Sequence, residues 1–343
     1  MQRAVVSFVL LSALLSLSPR SWASWKFVST GAATAIGTPS CAQLLTSHVV
    51  CAVRNGKAGM MVNEFNGASW RAWTTLAGTV TSDPSCTSDG NGNVICAAAA
   101  STGKLQWSIF NGTTWSTPAL LSAALFSAPS CAQYIVGQVL CVARNAGGGL
   151  AYTLYNGSTW HAIANLATTA ISQPSCTNDD NNAVICAVYT KAGNTEVNRY
   201  ANGAWEGFLN VGGVAGGAPE CISLNQNGNV YCFAEGYVSS IYGTRYNGRA
   251  WTAANWSVYA GLGGAVTENA GCTSQSPGLL VCGVTSVTDN AFYSDVWSGT
   301  SWSGWVKIGS SGTGSPACAP LGTGQVVCVM MGLKNQLTSV VGP

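Results

Sequence analysis

Three observations on this 343-residue sequence predict an all-β fold, a seven-bladed β-propeller of four-stranded antiparallel blades. Fourteen cysteines fall into seven nearly equal pairs: Cys41/Cys51, Cys86/Cys96, Cys131/Cys141, Cys176/Cys186, Cys221/Cys232, Cys272/Cys282 and Cys318/Cys328. The first cysteines of successive pairs lie 45, 45, 45, 45, 51 and 46 residues apart, a period that means an array, a solenoid or a propeller. Short apolar runs bounded by Gly, Asn and Pro recur around every pair, and only the N-terminus offers helical apolar spacing.

In chain order, Met1-Gln-Arg3, the apolar stretch Ala4 to Leu17 and the small-x-small site Ser21-Trp-Ala23 read as a secretory signal peptide over residues 1–23. The apolar stretch is shorter than the ~20 residues a membrane span needs, so no span is expected. Residues 24–343 then form a single propeller domain, with no room for a second.

Each unit opens on Pro-Ser-Cys or a close variant and passes through a polar turn such as Asp89-Gly-Asn-Gly-Asn93 into Val94-Ile-Cys96. An alternating third run follows, Leu105-Gln-Trp-Ser-Ile-Phe110, and then Asn111-Gly112 and Trp115. Asn-Gly is a strong hairpin signal, because both central positions of the tightest turn take positive φ. Each unit therefore reads as four short strands. The last unit lacks the Trp strand, and Ser24-Trp25-Lys-Phe-Val28 at the other end supplies it. The two termini then share one blade and the ring closes, which removes open sheet edges.

An exported chain with an even cysteine count implies disulfides. Facing residues of an antiparallel hairpin lie within disulfide reach, so one bridge per blade is expected, adding at most roughly 3 kcal/mol each. The alternative joins each second cysteine to the first of the next unit and Cys41 to Cys328. Charged residues make up 8% of the chain and the net charge is +2. Soluble domains carry ~25%. A basic footprint for nucleic acid is absent, and the Asn, Ser, Thr and Gly turns suit neutral hydroxyl-rich ligands.

Catalytic and cofactor chemistry finds little support. His48 and His161 sit at different repeat positions and have no partner at metal-ligand spacing, and C-x9-C is wrong for a zinc site. No cofactor is expected. Asp89-Gly-Asn-Gly-Asn93 resembles the start of a calcium loop but lacks the closing Glu, so it reads as a turn. Glycoside cleavage needs a carboxylate pair, for which Glu64 and Glu235 are the first candidates.

Trp25, Trp70, Trp115, Trp160, Trp205, Trp251 and Trp302 share one repeat position and read as packing between blades. Carbohydrate-binding candidates are the less regular aromatics, Trp73, Trp107, Tyr152, Tyr242, Trp256 and Trp305, whose faces match sugar C–H surfaces. Arg54 and Arg144 join them. Both follow the second cysteine, where the other units carry Ala99, Tyr189, Glu235, Thr285 and Met331.

On Pro84, Leu105-Gln-Trp107, Phe110, Asn111-Gly112, Trp115 and Trp70-Arg-Ala-Trp73-Thr-Thr-Leu76, the repeat resembles the bacterial seven-bladed propeller lectins of the Photorhabdus type. The likeness spans residues 24–343 at the level of the repeat. It implies binding of fucosylated or O-methylated glycans in pockets between blades; with the signal peptide, the repeat and the surplus of aromatics, the chain reads as a secreted, non-catalytic, multivalent lectin. The chain departs in its cysteine pairs and in Pro118, Ile163 and Phe208, which replace the second Trp of the blade. The six-bladed fungal fucose lectins are more distant, since no recurrent Arg/Glu/Trp set appears. An extracellular protein-binding scaffold and, behind it, a glycosidase are the alternatives.

Overall fold

In the computed structural model every cysteine pair closes within its own hairpin: Cys41–Cys51, Cys86–Cys96, Cys131–Cys141, Cys176–Cys186, Cys221–Cys232, Cys272–Cys282 and Cys318–Cys328, with Cα atoms 4.0–4.1 Å apart. The inter-unit pairing is thereby excluded. The structure describes residues 25–122, 125–213, 216–236, 239–266 and 270–343. The signal-peptide reading on residues 1–23 lies outside them.

The second cysteine of each pair is also removed from any ligand-facing surface. Cys51, Cys96, Cys141, Cys186, Cys232, Cys282 and Cys328 are buried, at 0–3% exposure, because each sits on the second strand of its unit, covered by sheet on both sides and by packing between units. The bridges are the ones that the hairpin spacing predicts, one within each unit. Cys186, Cys232, Cys282 and their equivalents are staples inside the core, and only the first cysteine of each pair borders open space.

The described chain is all-β apart from two short 3-10 turns. Unit 2 shows the pattern: strands Ser85–Ser88, Val94–Ala99, Leu105–Phe110 and Ala119–Leu121 pair in that order, all antiparallel. Two long strands each serve two sheets. Lys26–Leu45 pairs with Gln336–Gly342 through Lys26↔Val341 and with His48–Asn55 through Cys41↔Cys51. Val306–Pro320 pairs with Ala291–Trp297 and then with Val326–Gly332. The N-terminal strand therefore completes the sheet that the C-terminal strand begins.

Apolar side chains pack between sheets. Cys86, Val94, Cys96 and Phe110 of unit 2, for example, meet Ala42, Val50 and Ala52 of unit 1. The repeated Trp packs at a tilt or edge-on against the last aromatic of its own third strand: Phe65–Trp70 and Phe110–Trp115 at 5.2 Å, Tyr155–Trp160 at 5.4 Å, Tyr200–Trp205 at 5.3 Å. Trp25 instead lies over Gly342, where a Cβ would fall 2.3 Å from the indole. Glycine makes room for the closing strand.

Unit 5 corrects one reading. Trp256, not Trp251, forms the bridge to Tyr246 that the regular Trp forms elsewhere, and it is buried. A 3-10 turn at Ala253–Asn255 carries the added residues ahead of it, and the C-x10-C pair adds one more. Together they account for the 51-residue spacing.

The Asn-Gly turns also differ from expectation. At Asn66, Asn111 and Asn156 only the following glycine has positive φ, and the asparagine Oδ1 accepts two backbone N–H bonds instead. Unit 4 alone among these has both residues at positive φ, Asn202 at 52° and Gly203 at 79°, and there Ala201 pairs directly with Ala204. That is the tight hairpin the dipeptide favours.

A buried polar residue on the third strand faces the second cysteine and holds the fourth strand. Asn63 Nδ2 donates to Arg71 O (2.8 Å), Ser108 Oγ to Ser116 O (2.7 Å), Thr153 Oγ1 to His161 O (2.8 Å) and Thr244 Oγ1 to Ser257 O (2.6 Å). In unit 6 Asp295 takes the position and accepts from Gly304 N at 2.9 Å.

Candidate functional site

The first strands touch in a circuit, each meeting the next and Val306–Pro320 meeting Lys26–Leu45. They enclose a channel of about 750 Å³ lined from every disulfide-bearing hairpin. A cysteine pair with Cα atoms this close is a register pair whose N–H groups leave the ladder. On the inner edge that N–H meets the serine of the preceding Pro-Ser-Cys. Cys86 N donates to Ser40 Oγ (2.9 Å), Cys131 N to Ser85 Oγ (2.9 Å), Cys176 N to Ser130 Oγ (2.8 Å) and Cys221 N to Ser175 Oγ (2.8 Å). Glu220, Gly271 and Ala317 then replace serine. Burial pushes the Glu220 carboxyl up to about 7, against the opposing hydrogen bond from Ser175.

At one end of the channel the chain crosses from one unit to the next. Ahead of units 2, 3 and 4 a serine of the crossing accepts the N–H of the residue three after the second cysteine: Ser82 Oγ from Ala99 N (2.8 Å), Ser127 Oγ from Arg144 N (3.0 Å), Ser172 Oγ from Tyr189 N (2.9 Å). The lock at Ser127 sets the backbone from which Arg144 extends, and Arg54 occupies the same place in unit 1; each reaches toward the following crossing. Arg54 Nη2 lies 3.6 Å from Asp83 Oδ1. Asp83 Oδ2 accepts Thr38 N at 3.0 Å, and a Cβ on Gly37 would fall 1.9 Å from Oδ1, so the carboxyl nests against the crossing before it. Burial raises its pKa, with Thr38 N–H and then Arg54 pulling it back. Arg144 meets no carboxylate among the described residues; its Nη1 donates to Ile171 O at 3.0 Å and its guanidinium lies 5.4 Å from the ring of Phe126.

The six aromatic candidates lie elsewhere, along third and fourth strands. Trp73 Nε1 donates to Thr30 O (2.8 Å) and Trp305 Nε1 to Leu262 O (3.1 Å), each reaching the preceding unit. Trp107 packs on Trp160 and Tyr155, Tyr152 on Trp205 and Tyr200, and Trp256 on Tyr246. Tyr242 covers Gly236 and Gly261. None of these rings lies under an arginine among the described residues; that place belongs to Phe126, which the aromatic pattern did not single out. Its signal was positional, since it sits directly ahead of the Ser127 lock.

Glu64 is buried, with His48 Nδ1 at 2.8 Å from Oε1 and Arg71 Nε at 3.1 Å from Oε2. His48 is therefore a partner of Glu64, rather than a solvated turn residue. Both oxygens of Asp89 serve its own turn, accepting Asn91 N, Asn93 N and Asn93 Nδ2. Among the described residues no His/Cys/Asp/Glu group could hold a metal, and no helix is long and apolar enough to cross a membrane.

No protein-family model matches the chain, and no curated protein matches it either. Solved structures do. The BP39L lectin of Burkholderia pseudomallei is similar at 14% identity over 90% of this chain and 96% of that one, with a TM-score of 0.75. The Aleuria aurantia lectin, a six-bladed β-propeller, is similar at 13% identity over 82% of this chain and 99% of its own, with a TM-score of 0.59. A mutant of it in complex with α-methyl-L-fucoside gives 12% identity and a TM-score of 0.60, over 82% and 98%. The fold is a β-propeller.

Proposed function

We propose that the protein is a secreted, non-catalytic lectin, a closed ring of seven blades akin to the Photorhabdus type, that binds neutral fucosylated or O-methylated glycans. The reading of seven blades rests on the seven stapled hairpins, the circuit of first strands and the two long strands that each serve two sheets. Export to the periplasm or beyond, after cleavage near Ala23, agrees with seven disulfides in one chain.

The observation that carries the glycan reading is the propeller fold shared with solved lectins, one of them holding a fucoside. Arg54 and Asp83 at the crossing of units 1 and 2 add a local basis. The Arg54 guanidinium offers donors to sugar hydroxyls, while the Asp83 carboxylate beside it offsets its charge. Trp73, Trp107, Tyr152, Trp256 and Trp305 serve such a site through the packing between units, and Tyr242 through the packing within its own. Glu64, held by His48 and Arg71, is committed to structure, which supports a non-catalytic reading. Several weak sites on one ring gain avidity on a glycan-coated surface.

A glycan array with the mature protein, methylated sugars included, tests this. Binding of fucosylated or O-methylated glycans is expected, weakened in Arg54→Gln. No binding to any glycan overturns it.

A further inference from the structure

The crossing between units 3 and 4 has a different charge from the one between units 1 and 2. Where unit 2 supplies Asp83 to Arg54, unit 4 supplies Gln173, and Arg144 bonds a main-chain carbonyl, Ile171 O, instead. Of the four hydrogens on Nη1 and Nη2, one is given to Ile171 O, and the others remain for a ligand. Beside it stand two large apolar side chains open to solvent, Phe126 at 67% exposure and Ile171 at 49%. Arg144 covers one face of Phe126 and leaves ring surface open.

A second cation borders the same crossing. Lys191 N donates to Thr169 O at 3.0 Å and Ala170 bridges Thr190, which places exposed Lys191 at the turn beside Ile171. It makes no ion pair among the described residues. Glu196, on the neighbouring third strand, is held by Thr168 Oγ1 at 3.1 Å. In unit 6, by contrast, Lys307 Nζ sits 2.8 Å from Asp289 Oδ2.

We propose that Arg144, Phe126, Ile171 and Lys191 form a binding site for an acidic saccharide, a sugar ring bearing a carboxylate. The inference rests on the lectin reading and assigns one of its crossings a distinct ligand class. The guanidinium fork matches a carboxylate in shape and charge, and Lys191 adds attraction. Phe126 and Ile171 give the sugar's C–H face an apolar surface, with Arg144 stacked on the ring to hold it in place. An uncompensated cation favours an anion over a neutral sugar, and salt screens that preference.

The test is calorimetric titration of the mature protein with trigalacturonate and with its carboxyl-reduced counterpart. The acid is expected to bind at least ~10-fold more tightly than the reduced form, equivalent to about 1.4 kcal/mol. That preference is lost in Arg144→Gln and weakened in Phe126→Ala and at high salt. Arg144→Lys retains charge without the fork and is expected to fall between. Equal affinity for acid and reduced forms overturns the proposal, as does undiminished acid binding by Arg144→Gln. Failure of the neutral-glycan reading looks different: silence on the fucosylated and O-methylated sugars of the array with Arg144-dependent acid binding intact.

Discussion

Units 1 to 5 and units 5 to 7 hold the inner ring in different ways. Along the first arc one bond repeats four times, from Ser40, Ser85, Ser130 and Ser175 to the N–H of the next unit's cysteine. Along the second, Glu220, Gly271 and Ala317 stand in the serine position, and the cysteines that follow, Cys272, Cys318 and Cys41, meet no such hydroxyl. At the junction of units 6 and 7 the strands approach instead: Gly271 lies so near Pro316 that a Cβ would fall 1.8 Å from its carbonyl oxygen. The same fold is closed by a polar relay on one side and by direct backbone contact on the other. A broken repeat therefore marks changed geometry, and restoring the repeat there should do harm.

Gly271→Ser is the sharpest way to break this comparison. It restores the motif's own residue, yet the added Cβ meets backbone that cannot rotate away. A loss of roughly 3 kcal/mol or more is expected, because overpacking against main chain forces strand displacement. Urea denaturation reads it directly. A variant as stable as the parent would mean that the two arcs are equivalent.

Glu220 gives the next effect, and it depends on pH. Its carboxyl is raised from 4.5 to about 7 by burial, so the folded protein holds a proton that the unfolded chain releases. Stability from this group is full below pH ~4.5 and falls as pH rises toward 7, then stays low. The shift corresponds to roughly 3 kcal/mol, an upper figure because part of the side chain opens to the channel. Glu220→Gln should leave stability at pH 5 nearly unchanged and raise it at pH 8. Melting curves across that range check the sign; a variant less stable at pH 8 than the parent would contradict it.

Much of this was legible in the chain. The cysteine spacing pointed to the hairpins and their staples, because a disulfide between facing strands requires a fixed loop. The Trp strand at the N-terminus pointed to the shared terminal sheet. Less was legible where position in space decides. The spacing treats the two cysteines of a pair alike, yet Cys176, Cys221 and Cys272, though buried too, border the channel, which Cys186, Cys232 and Cys282 do not reach. Trp251 matches the regular Trp in sequence offset, but the turn at Ala253–Asn255 hands the buried place to Trp256. The relay serines recur in the sequence without showing what they bond, since their partners lie 46 positions away. Phe126 and Ile171 carried no sequence signal of their own, because the crossing is variable in sequence and only the Ser82, Ser127 and Ser172 locks recur.

Ser130→Ala tests the regular arc and should show the smallest effect. The substitution removes the acceptor of Cys176 N, a bond of 2.8 Å, without adding volume. A net hydrogen bond contributes about 1 kcal/mol, and the freed N–H faces a channel rather than a sealed core, so the loss should sit at or below that figure. Ala317 offers the natural comparison, since its unit already lacks the serine. Ala317→Ser should recover about the amount that Ser130→Ala loses if its hydroxyl reaches Cys41 N. The disulfides limit how far either change spreads, because each cysteine stays stapled to its own hairpin. Hydrogen exchange at Cys176 and Cys41 separates the outcomes. Protection should fall at Cys176 in the first variant and rise at Cys41 in the second. Unchanged protection at both would show that the relay follows from the ring's geometry and does not help to hold it.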